Sequence, residues 1–392
     1  MKTTRKAAPT HDLRRKDLKT RLSSIAIAFL LVFVYSQNII VLASGKLASA
    51  PASTADRNKL NGARSGSSGS SSGARSKSAA PDNCINKAST NTASSRPKPK
   101  PGSKMYLWKM TAENGATLYL LGTIHVFKKE FYPLPEEMEK ALAKSKSLLV
   151  EVDASKPESK EKLQIAFREK GSYIRGKIDL NNINSIDNLS KHISKQTLNE
   201  LQAYCEKSKI PMVNMIMFKP ATVTLLLEQL EVQRMGYTPE FGLDLHLMAE
   251  ANAAHKKIIG LETEDFQMGL FGDLSDEMQE LMLKVTLEDM PTMKEDIEQI
   301  MTCWLDGNEE SMAELISKDV KEHPEYAPIE ERILYQRNVT MAEKLEAYLK
   351  GPPTDVFTVA VGSAHLIGPR SIIALLKAKG YKCKQVVAGD PI

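Results

Sequence analysis

The chain has 392 residues, 42% of them hydrophobic and 26% charged, with 53 Lys and Arg against 48 Asp and Glu for a formal net charge of +5. That average describes neither half: residues 1–104 hold 19 basic residues, four Asp and no Glu (net +15), whereas residues 105–392 hold 34 basic and 44 acidic residues (net −10). Four cysteines (Cys84, Cys205, Cys303, Cys383) without C-x-x-C spacing leave a thiolate zinc site unsupported, and a disulfide among the last three stays open.

Residues 1–43 read as a signal peptide or a signal anchor. A basic flank that includes Arg14, Arg15, Lys16, Lys19 and Arg21 precedes an apolar run over 25–35. After polar Ser36-Gln37-Asn38 the chain is apolar again to Ala43, and small residues follow. Both readings leave the positive flank on the cytoplasmic side and place the body outside, secreted or membrane-anchored. Contact with a membrane is expected only through this segment, if it stays uncleaved. Residues 44–104 are rich in Ser, Gly, Lys and Pro and have almost nothing to bury, so a disordered basic linker is expected. No aromatic residues interleave with its charge, and no nucleic-acid partner is expected.

Residues 105–392 form the body, large enough to bury one substantial core. A strand over 105–110 and a turn at Glu113-Asn114-Gly115 lead to the apolar run 117–121, which ends in Gly122-Thr123-Ile124-His125. A helix is predicted over 133–147, with Glu136, Glu137 and Glu139 early and Lys144 and Lys146 late, the order that suits the helix dipole. The buried-type strand 147–153 follows and carries Glu151 near its end. Residues 157–236 read as several helical pieces, broken at Gly171, Gly176 and Pro211 and clearest over 221–235. Gly242 opens another helix, in which Asp244 reads as a helix-start residue and His246 as exposed. Strand 256–262 again ends in a carboxylate, Glu262, and 275–350 is a long helical block containing Arg337. On sequence alone Arg337 reads as a surface residue. The chain closes with strand 356–361, Gly362-Ser363-Ala364-His365, a helix over 369–380 and a strand over 381–387.

Strand–GxxH–helix–strand therefore occurs at both ends of a helical middle, an internal pseudo-repeat in an α/β fold with a mixed central β-sheet flanked by helices. In such sheets ligands gather at the carboxyl ends of strands, so His125 and His365 are expected to converge on one site. Two imidazoles and strand-end carboxylates form a recurrent divalent-metal set. His125, His365 and Glu262 are the candidate ligands, Glu151 is the candidate general base, and Arg337 would bind negative charge.

The blocks LYLLGTIHV, SLLVEVD, FGLDLHLMAEA with KKIIGLETEDFQ, ERILYQRNVTMAEKL and TVAVGSAHLIGPRSIIALLKAKGYKC resemble the TraB/GumN family. That family includes the TIKI metalloproteases and pheromone-shutdown proteins of bacterial conjugation. The resemblance covers nearly all of 105–390 and places the family's GxxH histidines on His125 and His365, its acids on Glu151 and Glu262, and its arginine on Arg337. It implies a divalent-metal-dependent hydrolase acting on a peptide or protein substrate, with manganese or cobalt favoured and zinc possible. The alternative is a binding protein of the same fold that sequesters a peptide or pheromone without turnover. The sequence sets no oligomeric state, and its Asn-X-Ser/Thr sequons stand at Asn188 and Asn338.

Overall fold

In the computed structural model, residues 99–155 and 188–392 are described, together with positions 158 and 161. The expected signal segment and linker, and the helical pieces around Gly171 and Gly176, lie outside the described residues. Six strands form one mixed sheet: β1 (Lys104–Thr111), β2 (Thr117–Thr123), β3 (Ser147–Val150), β4 (Lys257–Gly260), β5 (Val356–Gly362) and β6 (Lys382–Val387). Their order in space is β4-β3-β5-β2-β1-β6. Neighbours β4, β3, β5 and β2 pair in parallel, and β1 is antiparallel to both β2 and β6. The α/β fold and the mixed sheet are therefore as expected.

The pseudo-repeat survives as two interleaved crossovers. The first runs from β2 through α1 (Glu136–Lys144) to β3, stepping over the position that β5 fills. The second runs from β5 through the last helix to β6 and steps the other way, over β2 and β1. Strands β2 and β3 are buried along their whole length, as continuous apolar runs in a parallel sheet must be. The edge strand β4 is only half-buried.

The remaining helices are α2 (Lys195–Ser208), α3 (Pro220–Arg234), α4 (Leu243–Ala253), α5 (Glu264–Gly272), α6 (Asp276–Asp289), α7 (Met293–Leu305), α8 (Glu309–Ile316), α9 (Gln336–Leu349) and α10 (Ile372–Ala378). Short helical turns join α8 to α9, and the last of them, Glu331–Tyr335, is a π-helical turn. Proline at the first turn starts α3, whose first ten residues are all buried, and α3 packs against α6. Among the described residues no helix is long and apolar enough to cross a membrane. Cys205, Cys303 and Cys383 are all free thiols, so no disulfide joins them.

Aromatic packing fixes the end of β2. The Trp304 ring of α7 stacks on Tyr106 and meets Phe127 edge-on, and its indole N–H donates to the Gly122 carbonyl at 2.8 Å. Gly122 itself has no room for a side chain, since a Cβ there would stand 2.9 Å from both Ser363 and Tyr106. Trp304→Phe keeps much of the ring packing but leaves that carbonyl buried and unpaired. A loss of about 1–3 kcal/mol in unfolding free energy is expected from urea curves. An unchanged midpoint would mean that this bond does not hold the strand end.

Candidate functional site

Parallel pairing brings four strand ends to one rim of the sheet. Thr123 of β2 is level with Gly362 of β5, and Val150 of β3 is level with both Ala360 of β5 and Gly260 of β4. The residues just past these positions are His125, Glu151, Glu262 and His365. The ladder between β3 and β4 continues beyond the strands, with the Leu261 amide on the Val150 carbonyl and the Glu262 amide on that of Glu151. The two acids therefore emerge side by side.

His125 sits on a loop held against the start of α4. The Phe127 and Thr238 backbones exchange hydrogen bonds, and the Leu243 amide donates to the Ile124 carbonyl. Gly242 permits this approach, because a Cβ there would lie 2.3 Å from the His125 carbonyl oxygen. The reward is a buried contact: Nδ1 of His125 stands 2.8 Å from Asp244 Oδ2, and Asp244 Oδ1 accepts from the Thr123 hydroxyl at 2.7 Å. Asp244, which reads from sequence as a helix-start residue, is 4% exposed and orients a histidine.

His365 lies in the 3₁₀ turn Ser363–Leu366 with no exposed surface. Its Nδ1 is 2.5 Å from Asn338 Oδ1, and the Asn338 Nδ2 donates to the Arg370 carbonyl at 2.9 Å. An amide that donates through nitrogen must accept through oxygen, so His365 carries its proton on Nδ1 and presents a lone pair at Nε2. That Nε2 is buried without a hydrogen-bond partner and lies 3.7 Å from Glu151 Oε1. Asn338 is wholly buried, so the sequon it begins is closed to glycosylation in the folded chain.

Behind the histidines stands a charge cluster. Glu151 Oε1 accepts from the Gly362 amide at 2.7 Å, and its Oε2 accepts from Arg337 Nη2 at 2.5 Å and Gln267 Nε2 at 2.9 Å. Glu262 accepts from Arg337 through both oxygens (Nε 2.9 and 3.2 Å, Nη2 2.8 Å) and from Gln267 at 2.9 Å. Arg337 Nη1 donates to the Ile333 carbonyl. Contrary to its surface reading from sequence, Arg337 is 1% exposed. Gln267 on α5 bridges the two acids and has no sequence signal beyond lying five residues after Glu262. His246, read as exposed, is half-buried against Tyr132, with ring centroids 4.6 Å apart. Among the described residues no group of three His, Cys, Asp or Glu side chains stands in ligand geometry for a metal ion.

The two imidazoles differ electrically. Burial pushes His125 down, but the charge and hydrogen bond of Asp244 outweigh it, and the net shift is upward. Burial, then the charges of Arg337 and His125, hold His365 well below the ordinary histidine value of 6.5. For Arg337, Glu262 and Glu151 outweigh burial and keep the guanidinium charged. His365 thus contributes stability that is complete above pH 6.5 and is lost as pH falls toward its folded value, while His125 contributes stability below pH 6.5 that is lost as pH rises through its folded value. A histidine NMR titration should show His365 as the neutral Nδ1–H tautomer below pH 6.5 and His125 titrating above it. A His365 midpoint at or above 6.5 would contradict this arrangement.

Comparison with known proteins gives the same family over the same residues. The profile described as the TraB/PrgY/gumN family matches residues 106–385. The protein YbaP of Escherichia coli (strain K12) is 24% identical over 280 residues, covering 69% of this chain and 93% of its own length. Two Danio rerio proteins, Metalloprotease TIKI1 and Metalloprotease TIKI2, match over short stretches. The first is 33% identical over 60 residues, 15% of this chain and 12% of its own. The second is 30% identical over 64 residues, 16% and 12%. No solved structure matches. With its paired GxxH loops on one rim of the sheet and a family profile running across the whole body, the chain belongs to the TraB/PrgY/gumN family.

Proposed function

We propose that this protein is a divalent-metal-dependent hydrolase that cleaves peptides, exported by its N-terminal segment so that the body acts outside the cytoplasm. The observation that carries the reading is the state of His365: a buried imidazole with Nδ1 fixed by Asn338 and an Nε2 lone pair that meets no hydrogen-bond donor. Metal-binding histidines characteristically have their second nitrogen held by an oxygen in this way, and Asp244 holds Nδ1 of His125 likewise. On these grounds the donor types of the site suit a divalent ion, although the described side chains do not stand in ligand geometry for one. His125 and His365 would hold it, with a strand-end carboxylate as the oxygen donor, and such a set suits manganese or cobalt, with zinc possible. When bound, the ion supplies Lewis acidity and lowers the pKa of coordinated water.

The chain's own residues divide the other tasks. Glu151, whose Oε1 lies 3.7 Å from His365 Nε2, would take up a proton. Glu262 is the further acid ligand, and Arg337 meets developing negative charge on the substrate. Gly362 and Gln267 keep the Glu151 carboxylate aimed. The short likeness to proteins named metalloproteases supports hydrolysis of a peptide or protein, and leaves the substrate undefined.

A second reading rests on one observation: Arg337 and Gln267 hydrogen-bond to both carboxylates, which suits a peptide-sequestering protein without turnover. Incubating the full chain with a peptide library and manganese or cobalt, with and without chelator, separates the two. Cleavage that chelation abolishes is expected; saturable binding of intact peptides would establish the second reading instead. His125→Ala or His365→Ala should abolish metal retention while the body stays folded, and a double variant that retains stoichiometric manganese or cobalt would refute the ligand assignment. Glu151→Gln should lower turnover by roughly 10²–10⁴-fold with much smaller loss of peptide affinity.

A further inference from the structure

The sheet has two edges, and the chain treats them differently. At one end, β6 is closed against a further strand. Lys382 and Lys384 stand exposed on it, the kind of charge with which edge strands discourage pairing. Past its end, Ala388 accepts from the Gly102 amide and donates to the Ser103 carbonyl, and the Val387 amide donates to Asp390 Oδ2 at 3.1 Å.

At the other end, β4 carries one exposed lysine, at its start, and no proline, and its ladder to β3 runs without a register shift from Lys257 to Gly260. The Leu261 amide donates to the Val150 carbonyl. Backbone groups alternate along a strand, so Lys257 and Ile259 also face β3, while the N–H and C=O of Ile258 and Gly260 point outward. Among the described residues nothing hydrogen-bonds to those four outward groups. Gly260 is exposed and Ile258 half-buried. Donors and acceptors spaced in this way along an open edge are what an incoming extended peptide pairs with.

Position gives the edge a use. β4 ends at the rim of the candidate site, with Glu262 two residues past Gly260 and its amide on the Glu151 carbonyl. Strands lie about 4.8 Å apart, so a strand added to β4 would run about 10 Å from the end of β3 that carries Glu151. At about 3.3 Å per residue, three further residues of that peptide span the gap.

We propose that the outer edge of β4 docks the peptide substrate: an extended segment pairs through its main chain with Ile258 and Gly260, and the bond to be cleaved lies about three residues beyond the paired segment. This rests on the peptide reading above and adds to it a substrate class, a polypeptide segment free to become a strand and recognised chiefly through its backbone.

A fluorescein-labelled library of random decapeptides, offered to the full chain with chelator present and followed by fluorescence anisotropy, tests this without turnover. Proline is tolerated on an edge strand where its missing N–H faces away from the neighbour, so Ile258→Pro removes one outward donor and spares the ladder to β3. It should bind the library about tenfold or more weakly than the unaltered chain, whereas Ile258→Val, which keeps the amide, should bind within about twofold. Circular dichroism establishes folding. Should Ile258→Pro not fold, the same library N-methylated at every residue decides the matter, because it keeps its side chains and loses its backbone donors. Its binding to the unaltered chain should fall by the same factor. Equal binding by the folded proline variant, or of the N-methylated library, overturns the docking edge and leaves the peptide reading standing; sedimentation that then shows Ile258→Pro splitting a dimer would assign the edge to a second copy of the chain. Should the unaltered chain bind neither library, both are overturned.

Discussion

Everything at the candidate site depends on one strand pairing. β5 lies between β2 and β3, with its last residues level with theirs. Without it β2 and β3 would not be joined, and His125 and Glu151 would share no rim. The insertion also brings His365 and the Gly362 amide to the centre of the cluster, where the amide caps Glu151. A strand made 206 residues after β3 ends thus completes a site whose other half is built early in the chain. Loop closure over such a span costs conformational entropy before it returns contacts. The continuous burial of β2 and β3 is what offsets that cost.

The electrostatics follow from the same geometry. Parallel strands deliver two acids next to each other, and the interior cannot leave both charged without a partner. Arg337 answers from outside the sheet, on α9, and Gln267 closes the bridge from α5. The two histidines arrive by matched motifs, yet one is backed by a carboxylate and the other by an amide. The Asp244 carboxylate raises the proton affinity of His125 against its burial, whereas burial and the charges of Arg337 and His125 lower that of His365.

Much of this was legible in the sequence because it is local. Apolar runs stopped by glycine marked β2 and β5, and charge order and proline or glycine boundaries marked α1, α3 and α10; the ends of α1 and α10 moved inward by a few residues, and α3 shifted by one. The match between the two GxxH stretches pointed to a shared rim, which strand register then realised. The supporting partners were illegible for an equally physical reason. Asp244 sits in the first turn of α4, where an acid needs no further explanation, and only the docking of the GxxH loop reveals its second use. Arg337 and Asn338 lie in a charged, polar stretch that local pattern assigns to solvent. Their burial is a tertiary event, set by where α9 lands, with Tyr348 against Phe357 of β5 and the helix packed on α10.

Asn338 carries a consequence of its own. A cellular machinery that attaches sugars at Asn-X-Thr reads the growing polypeptide, before its last strand has emerged to pack. A glycan added then could not enter a side-chain niche with no open surface, and it would occupy the amide that fixes His365. In a compartment with that machinery, the maturation of this site becomes a race between attachment and the arrival of β5, and only molecules in which folding wins keep both histidines aligned.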